Sequence, residues 1–178
     1  MTSPSYIRSY GEPLGLRLVT ALQSAGHDVF KSCEAVSQGT DLGLKPGHTR
    51  KLLHELAASG RVVRVKKGLY AVIDPVTGST TAHAYEIGTS IVQPSAISHW
   101  SALSHWGLTE QIPTVVMVSS PKRTFPPRSQ STHPRVTWEV GQSQFQIITI
   151  PKTRFFGVEY VWMNERSRIP IFDRERAL

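Results

Sequence analysis

Over residues 46–73 the apolar pattern changes period within a few positions, and this change constrains the fold more than any other feature. From Pro46 to about Ser59, Leu52, Leu53 and Leu56 form a stripe at helical spacing, with Ala57 at its edge. Pro46 suits the first turn of a helix and Gly60 its end. The run R-V-V-R-V-K-K-G-L-Y-A-V (61–72) then alternates β-branched and basic residues, and Lys67-Gly68 supplies a turn into a return strand over 69–73. Upstream, Leu14, Leu18 and Leu22, with Val19 offset, predict a helix over 14–25 that stops at Gly26. Ser32 is placed to cap a second helix over 33–38, closed by Gly39 or Gly43. Three helices followed by a hairpin predict a winged helix-turn-helix domain over residues 1–76.

The charge of the chain gathers in the same segment. The full sequence of 178 residues has 20 Lys+Arg against 13 Asp+Glu, a net charge of +7. Between Leu42 and Ile73 stand Lys45, Arg50, Lys51, Arg61, Arg64, Lys66 and Lys67 against Glu55 alone, so +6 of the excess falls there. A polyanion is the first class of partner this suggests. On the third helix, His48, Arg50, Lys51 and His54 lie opposite the leucines, with Lys45 at the entrance, as a recognition helix requires. Arg and Lys donate to guanine O6 and N7, while Thr or His reaches a phosphate or a base edge. Arg64, Lys66 and Lys67 sit at or near the hairpin tip, where a wing tracks the DNA backbone. The plain alternative is a solvated face with a charged strand edge that discourages aggregation.

Asp74 to Thr80 (D-P-V-T-G-S-T) is turn-rich and marks the expected boundary to a second domain over 79–178. Helices are predicted over 82–92 and 95–106, separated by Pro94 with Ser95 as cap, and strands over 114–119, 135–140, 145–150 and 155–163. This reads as an α+β unit with a mainly antiparallel sheet. The basic, proline-rich stretch 120–134 is expected to be a loop. Its Lys122, Arg123 and Arg128 could grip a nucleic acid or a protein, and its Phe125 could stack on a base, although a solvated connection is the simpler reading.

Other chemistries find little support. One cysteine, Cys33, excludes an internal disulfide and a cysteine-based zinc site, and its place near Ala35 and Val36 predicts a buried structural thiol. His99 and His105 are six apart, not the i, i+4 spacing of two ligands on one helical face. The tryptophans read as core or cleft anchors. Glu86, Glu159, Asp173, Glu175 and Lys152 could be assembled into a metal-dependent nuclease site, but nothing in their spacing demands it. No glycine-rich phosphate loop, G-x-S-x-G elbow or H-E-x-x-H occurs. We therefore expect no catalytic residues, no metal and no cofactor. No run approaches the ~20 apolar residues of a membrane span, and the N-terminus lacks a signal-type apolar region, so a cytoplasmic location is expected.

The segment 47–72, G-x-x-x-K-L-L-H-E-L-A-A-S-G-R-V-V-R-V-K-K-G-L-Y-A-V, resembles the N-terminal winged helix of AbiEi-type antitoxins. P-S-A-I-S-H-W-S-A-L-S-H-W-G-L-T-E-Q-I-P (94–113), F-F-G-V-E-Y-V (155–161) and F-D-R-E-R-A-L (172–178) resemble later segments of the same family. The resemblance implies an abortive-infection antitoxin of a type IV system. Such a protein represses its own promoter by binding inverted repeats in double-stranded DNA, and it counteracts a nucleotidyltransferase-like toxin without a stable complex. Matched positions imply DNA contacts from Lys45, His48, Thr49, Arg50, Lys51, Arg64, Lys66 and Lys67. The small footprint of one such domain suggests a dimer on DNA. Family members usually continue beyond the last segment into further helices, so the resemblance implies either a shortened product or an incomplete antitoxin half. The alternatives are a stand-alone regulator whose second domain binds a ligand or partner, and a metal-dependent nuclease.

Overall fold

The computed structural model describes residues 13–126 and 137–177. Its N-terminal half runs α1 (Leu14–Ser24), β1 (Val29–Lys31), α2 (Ser32–Asp41), α3 (Pro46–Ala58), β2 (Val62–Lys66) and β3 (Leu69–Val72). The three helices and the hairpin fall where the apolar periods predict them. Strand β1 was not anticipated. It pairs antiparallel with β3, Phe30 opposite Tyr70, and makes a three-stranded sheet of order β1-β3-β2. Gly68 adopts φ 77° in the hairpin turn, a conformation that disfavours any Cβ.

Leu18, Leu22, Phe30, Leu52, Leu53 and Leu56 form one buried cluster, joined by Ala35, Val62 and Val72. Helices α2 and α3 approach closely at Gly39. A Cβ there would collide with the Oγ1 of Thr49. Helix α2 continues through Gly39 to Asp41, and it is Gly43, at φ 78°, that follows its end. Its inward face is Ala35 and Gly39, one turn apart, and Cys33 is turned out and exposed. The expectation of a buried thiol is corrected accordingly.

The C-terminal half contains α4 (Ala84–Ile91), β4 (Ala96–Ile97), α5 (His99–His105), β5 (Val115–Ser120), β6 (Thr137–Val140), β7 (Ser143–Thr149), β8 (Val158–Trp162), β9 (Arg168–Phe172) and α6 (Arg174–Ala177). The whole is α+β. The second sheet is mixed, in the order β6-β7-β5-β4-β9-β8. Its β4–β5, β6–β7 and β8–β9 pairs are antiparallel, but the long β5–β7 ladder is parallel, as is β4–β9.

Several local readings change here. The helix expected over 95–106 starts at His99, because Ala96 and Ile97 form a short strand between β5 and β9. Ser95 does not cap it and instead donates its hydroxyl to Thr89 O. The strand expected over 155–163 is confined to Val158–Trp162, beginning after Gly157, which adopts φ 66°. Trp138 is buried and half-buried Trp106 donates its indole N–H to Phe172 O at 2.8 Å, whereas Trp100 and Trp162 are exposed.

The hairpin is buried on both faces. Tyr70 and Val72 face the N-terminal helices, while Leu69 and Ala71, with Val65, join the core of the second sheet beside Ile87, Ile91, Val118 and Phe145. This alternation follows from the period-2 geometry of a strand. The two halves also meet through polar contacts. Arg166 donates from Nη1 to Gln23 O at 3.1 Å, and Thr81 donates its hydroxyl to Asp28 at 2.5 Å. The turn-rich stretch between them is ordered by Asp74, whose carboxylate accepts from the Val76 N–H and the Thr77 hydroxyl. Those hydrogen bonds hold the Asp74 carboxyl below its ordinary range.

Candidate nucleic-acid interface

Helix α3 separates its residues cleanly by face. At about 100° per residue, Thr49, Leu52, Leu53 and Leu56 fall within one arc and are all buried. Arg50, His54, Lys51 and His48 span the opposite arc of about 160° and are exposed, as is Lys45 at the helix start. Lys51 lies 3.8 Å from Glu55, but both side chains are more than half exposed, so the pair is weak and leaves Lys51 free to exchange partners. The arrangement can present several cationic or hydrogen-bonding groups to one surface without opening the core.

Thr49 does not belong to that surface. It is 0% exposed, packed on Gly39, and its hydroxyl points back to Lys45 O at 3.4 Å. A DNA contact from its side chain is therefore withdrawn. The close approach of α2 explains the burial, a contact that helical periodicity in α3 alone does not reveal.

At the hairpin, Arg64 and Lys67 are exposed. Lys66 is half-buried, and its ammonium donates to Ile91 O at 2.6 Å, at the end of α4. Burial pushes its pKa down, and the neighbouring Lys31 adds to that. The wing lysine expected to face DNA is thus occupied in joining the two halves. Lys31, absent from the sequence-based set, stands near it at the end of β1. It lies outside the basic window, and only the unanticipated β1–β3 pairing brings it beside the hairpin turn.

The turn itself is fixed to α2, whose Ser32 N–H donates to Gly68 O at 2.9 Å. In the 120–134 stretch, Arg123 lies 4.8 Å over the exposed ring of Phe125, while Arg128 is outside the described residues. His83, Tyr85, His105 and Trp106 form an edge-to-face series. Burial lowers the pKa of both histidines, favouring their neutral forms. Among the described residues no group of three His, Cys, Asp or Glu is disposed to hold a metal, and no helix is long and apolar enough to cross a membrane.

A helix with one exposed basic face thus packs on a small antiparallel sheet that is attached to a larger α+β half. Residues 17–73 match the family described as "Transcriptional regulator, AbiEi antitoxin", so this segment is similar to that family. A solved structure, the RV2827C protein from Mycobacterium tuberculosis, is similar to this chain with a TM-score of 0.52 and 18% identity. The match covers 79% of this chain and 46% of that protein, so this chain spans less than half its length. At that identity the likeness is one of fold. No curated protein matches the chain in sequence.

Proposed function

We propose that the chain is a two-domain DNA-binding antitoxin. A winged helix-turn-helix domain over 1–76 reads an operator in its own promoter, and an α+β domain over 79–178 serves the antitoxin role. The observation that carries this reading is the exposed arc of Lys45, His48, Arg50, Lys51 and His54 on a helix whose other face is closed by leucines. Such a helix has the dimensions and donors to enter a major groove. The exposed Arg64 and Lys67 of the hairpin supply backbone contacts of the kind a wing makes. The antitoxin-regulator match over 17–73 supports the same function. Repression of the promoter, inverted-repeat operators and a dimer on DNA follow from this reading, as does a nucleotidyltransferase-like toxin countered without a stable complex. No catalytic step is assigned to the chain.

A footprint on the DNA upstream of the gene tests the proposal. Protected inverted repeats are the expected result, and a promoter fragment left unretained at low ionic strength sinks it. Base reading is tested at Arg50. Arg50→Ala should cost about 1–3 kcal/mol on the cognate duplex and much less on a scrambled one. Equal losses on both would show that Arg50 contacts backbone only.

A further inference from the structure

Where the two halves meet beside the hairpin turn lies a cleft of about 400 Å³. Lys31, Ser32, Lys66 and Lys67 line it from the N-terminal half, and Ser90 and Gln93 from the other. Three lysines and no carboxylate are among its lining residues. The Glu34 carboxylate, on α2, accepts from the Lys31 N–H at 2.6 Å. Lys66 is half-buried and anchored on Ile91 O, whereas Lys31 and Lys67 are exposed. The crowding is visible in Lys66, whose charged form is disfavoured by burial and by Lys31 together. A cavity lined by like charges, with hydroxyl and amide donors opposite, is complementary to a tetrahedral oxyanion.

We propose that this cleft is a phosphate site through which Ser90 and Gln93 give the second domain a direct part in gripping the DNA backbone. The proposal rests on the DNA-binding reading and adds to it. The duplex is held by both domains at once, with the ends of α4 and of β1 flanking the same phosphate. Because backbone phosphates carry no sequence information, the contribution is to affinity and register, equal for all duplexes.

The test uses the full chain with cognate and scrambled duplexes titrated over a range of salt. Lys31→Ala and Lys67→Ala should each flatten the slope of log K against log salt by about 0.9. Gln93→Ala removes no charge, so it should leave the slope alone and weaken both duplexes alike by about 3–10-fold. Its melting temperature should match that of the parent. A Gln93→Ala chain that binds as well as the parent, or a Lys31→Ala chain with an unchanged slope, overturns the proposal. Amide NMR shifts on adding inorganic phosphate provide an arm independent of DNA. If the parent chain retains no duplex at all, the DNA reading fails by itself. Shifts at Gly68 and Gln93 would then keep the site as one for a free phosphate-bearing ligand, and their absence would remove the site too.

Discussion

Lys66 and Lys67 are adjacent in sequence and equal in charge, yet the structure gives them opposite work, and this can be measured. Lys66 donates to Ile91 O across the junction of the two halves, and Lys67 is exposed. A hydrogen bond from a charged donor contributes about 1.5–3 kcal/mol. Lys66 is only half-buried and its ammonium already carries a desolvation cost, which reduces the net loss on removal to about 1–2 kcal/mol. For a chain of this size each kcal/mol moves the melting temperature by about 2–4 °C. Lys66→Ala should therefore lower it by about 2–8 °C. Lys67→Ala, a surface change, should move stability by no more than about 0.5 kcal/mol. The DNA readout should invert the pair. Lys67→Ala flattens the salt dependence fully, and Lys66→Ala flattens it less, because its ammonium is already held on Ile91 O, while weakening binding modestly through a loosened junction. The assay is a thermal melt of each single variant beside a salt titration with one duplex. An unshifted melt for Lys66→Ala, together with a slope change equal to that of Lys67→Ala, would refute the assignment.

Gly39→Ala should destabilise the chain by about 1–3 kcal/mol, because the added methyl meets Thr49 at the closest approach of α2 and α3. A denaturant melt checks this, and a Thr49→Ala companion that recovers part of the loss would tie it to that contact. Burial holds the Glu86 carboxyl above its ordinary range, opposed by the Ser167 hydroxyl that donates to it and aided by the nearby Asp28. Its folded pKa thus lies above the unfolded one, so the stability it contributes is fully present below about 4.5 and is lost as pH rises through the folded value. Glu86→Gln should gain stability relative to the parent across that window, and a difference that does not vary with pH contradicts the assignment. Cys33 should react fully with a thiol reagent in the native chain, without denaturant, since it is exposed. Protection until unfolding would put it back in the core.

The helices of the N-terminal half and its hairpin were legible because each carries a full apolar stripe or a clean alternation bounded by Pro46, Gly60 and Gly68. The exposed set on α3 followed from the same periodicity. Elements whose reason is remote in sequence were not legible. Strand β1 has three residues and exists because Phe30 and its neighbours pair with β3 some forty positions away. Ala96 and Ile97 look like the start of a helix until β5 and β9 close on either side of them. Strand β9 carries Pro170, which weakens any strand reading of R-I-P-I-F. In the site, Thr49 and Lys66 were placed on DNA by their positions within local motifs. One is claimed by α2 and the other by the end of α4, through contacts that no local window contains. Lys31 escaped notice for the converse reason, being brought to the hairpin by pairing alone.

The two-sided burial of the hairpin bears on how this protein can be taken apart. A fragment cut after β3 would expose Val65, Leu69 and Ala71, which are at most 3% accessible in the intact chain, as an apolar strip along its own sheet. Such a piece is prone to clump or to pair edge to edge. Weak operator retention by an excised head would then report a missing floor rather than a missing reader.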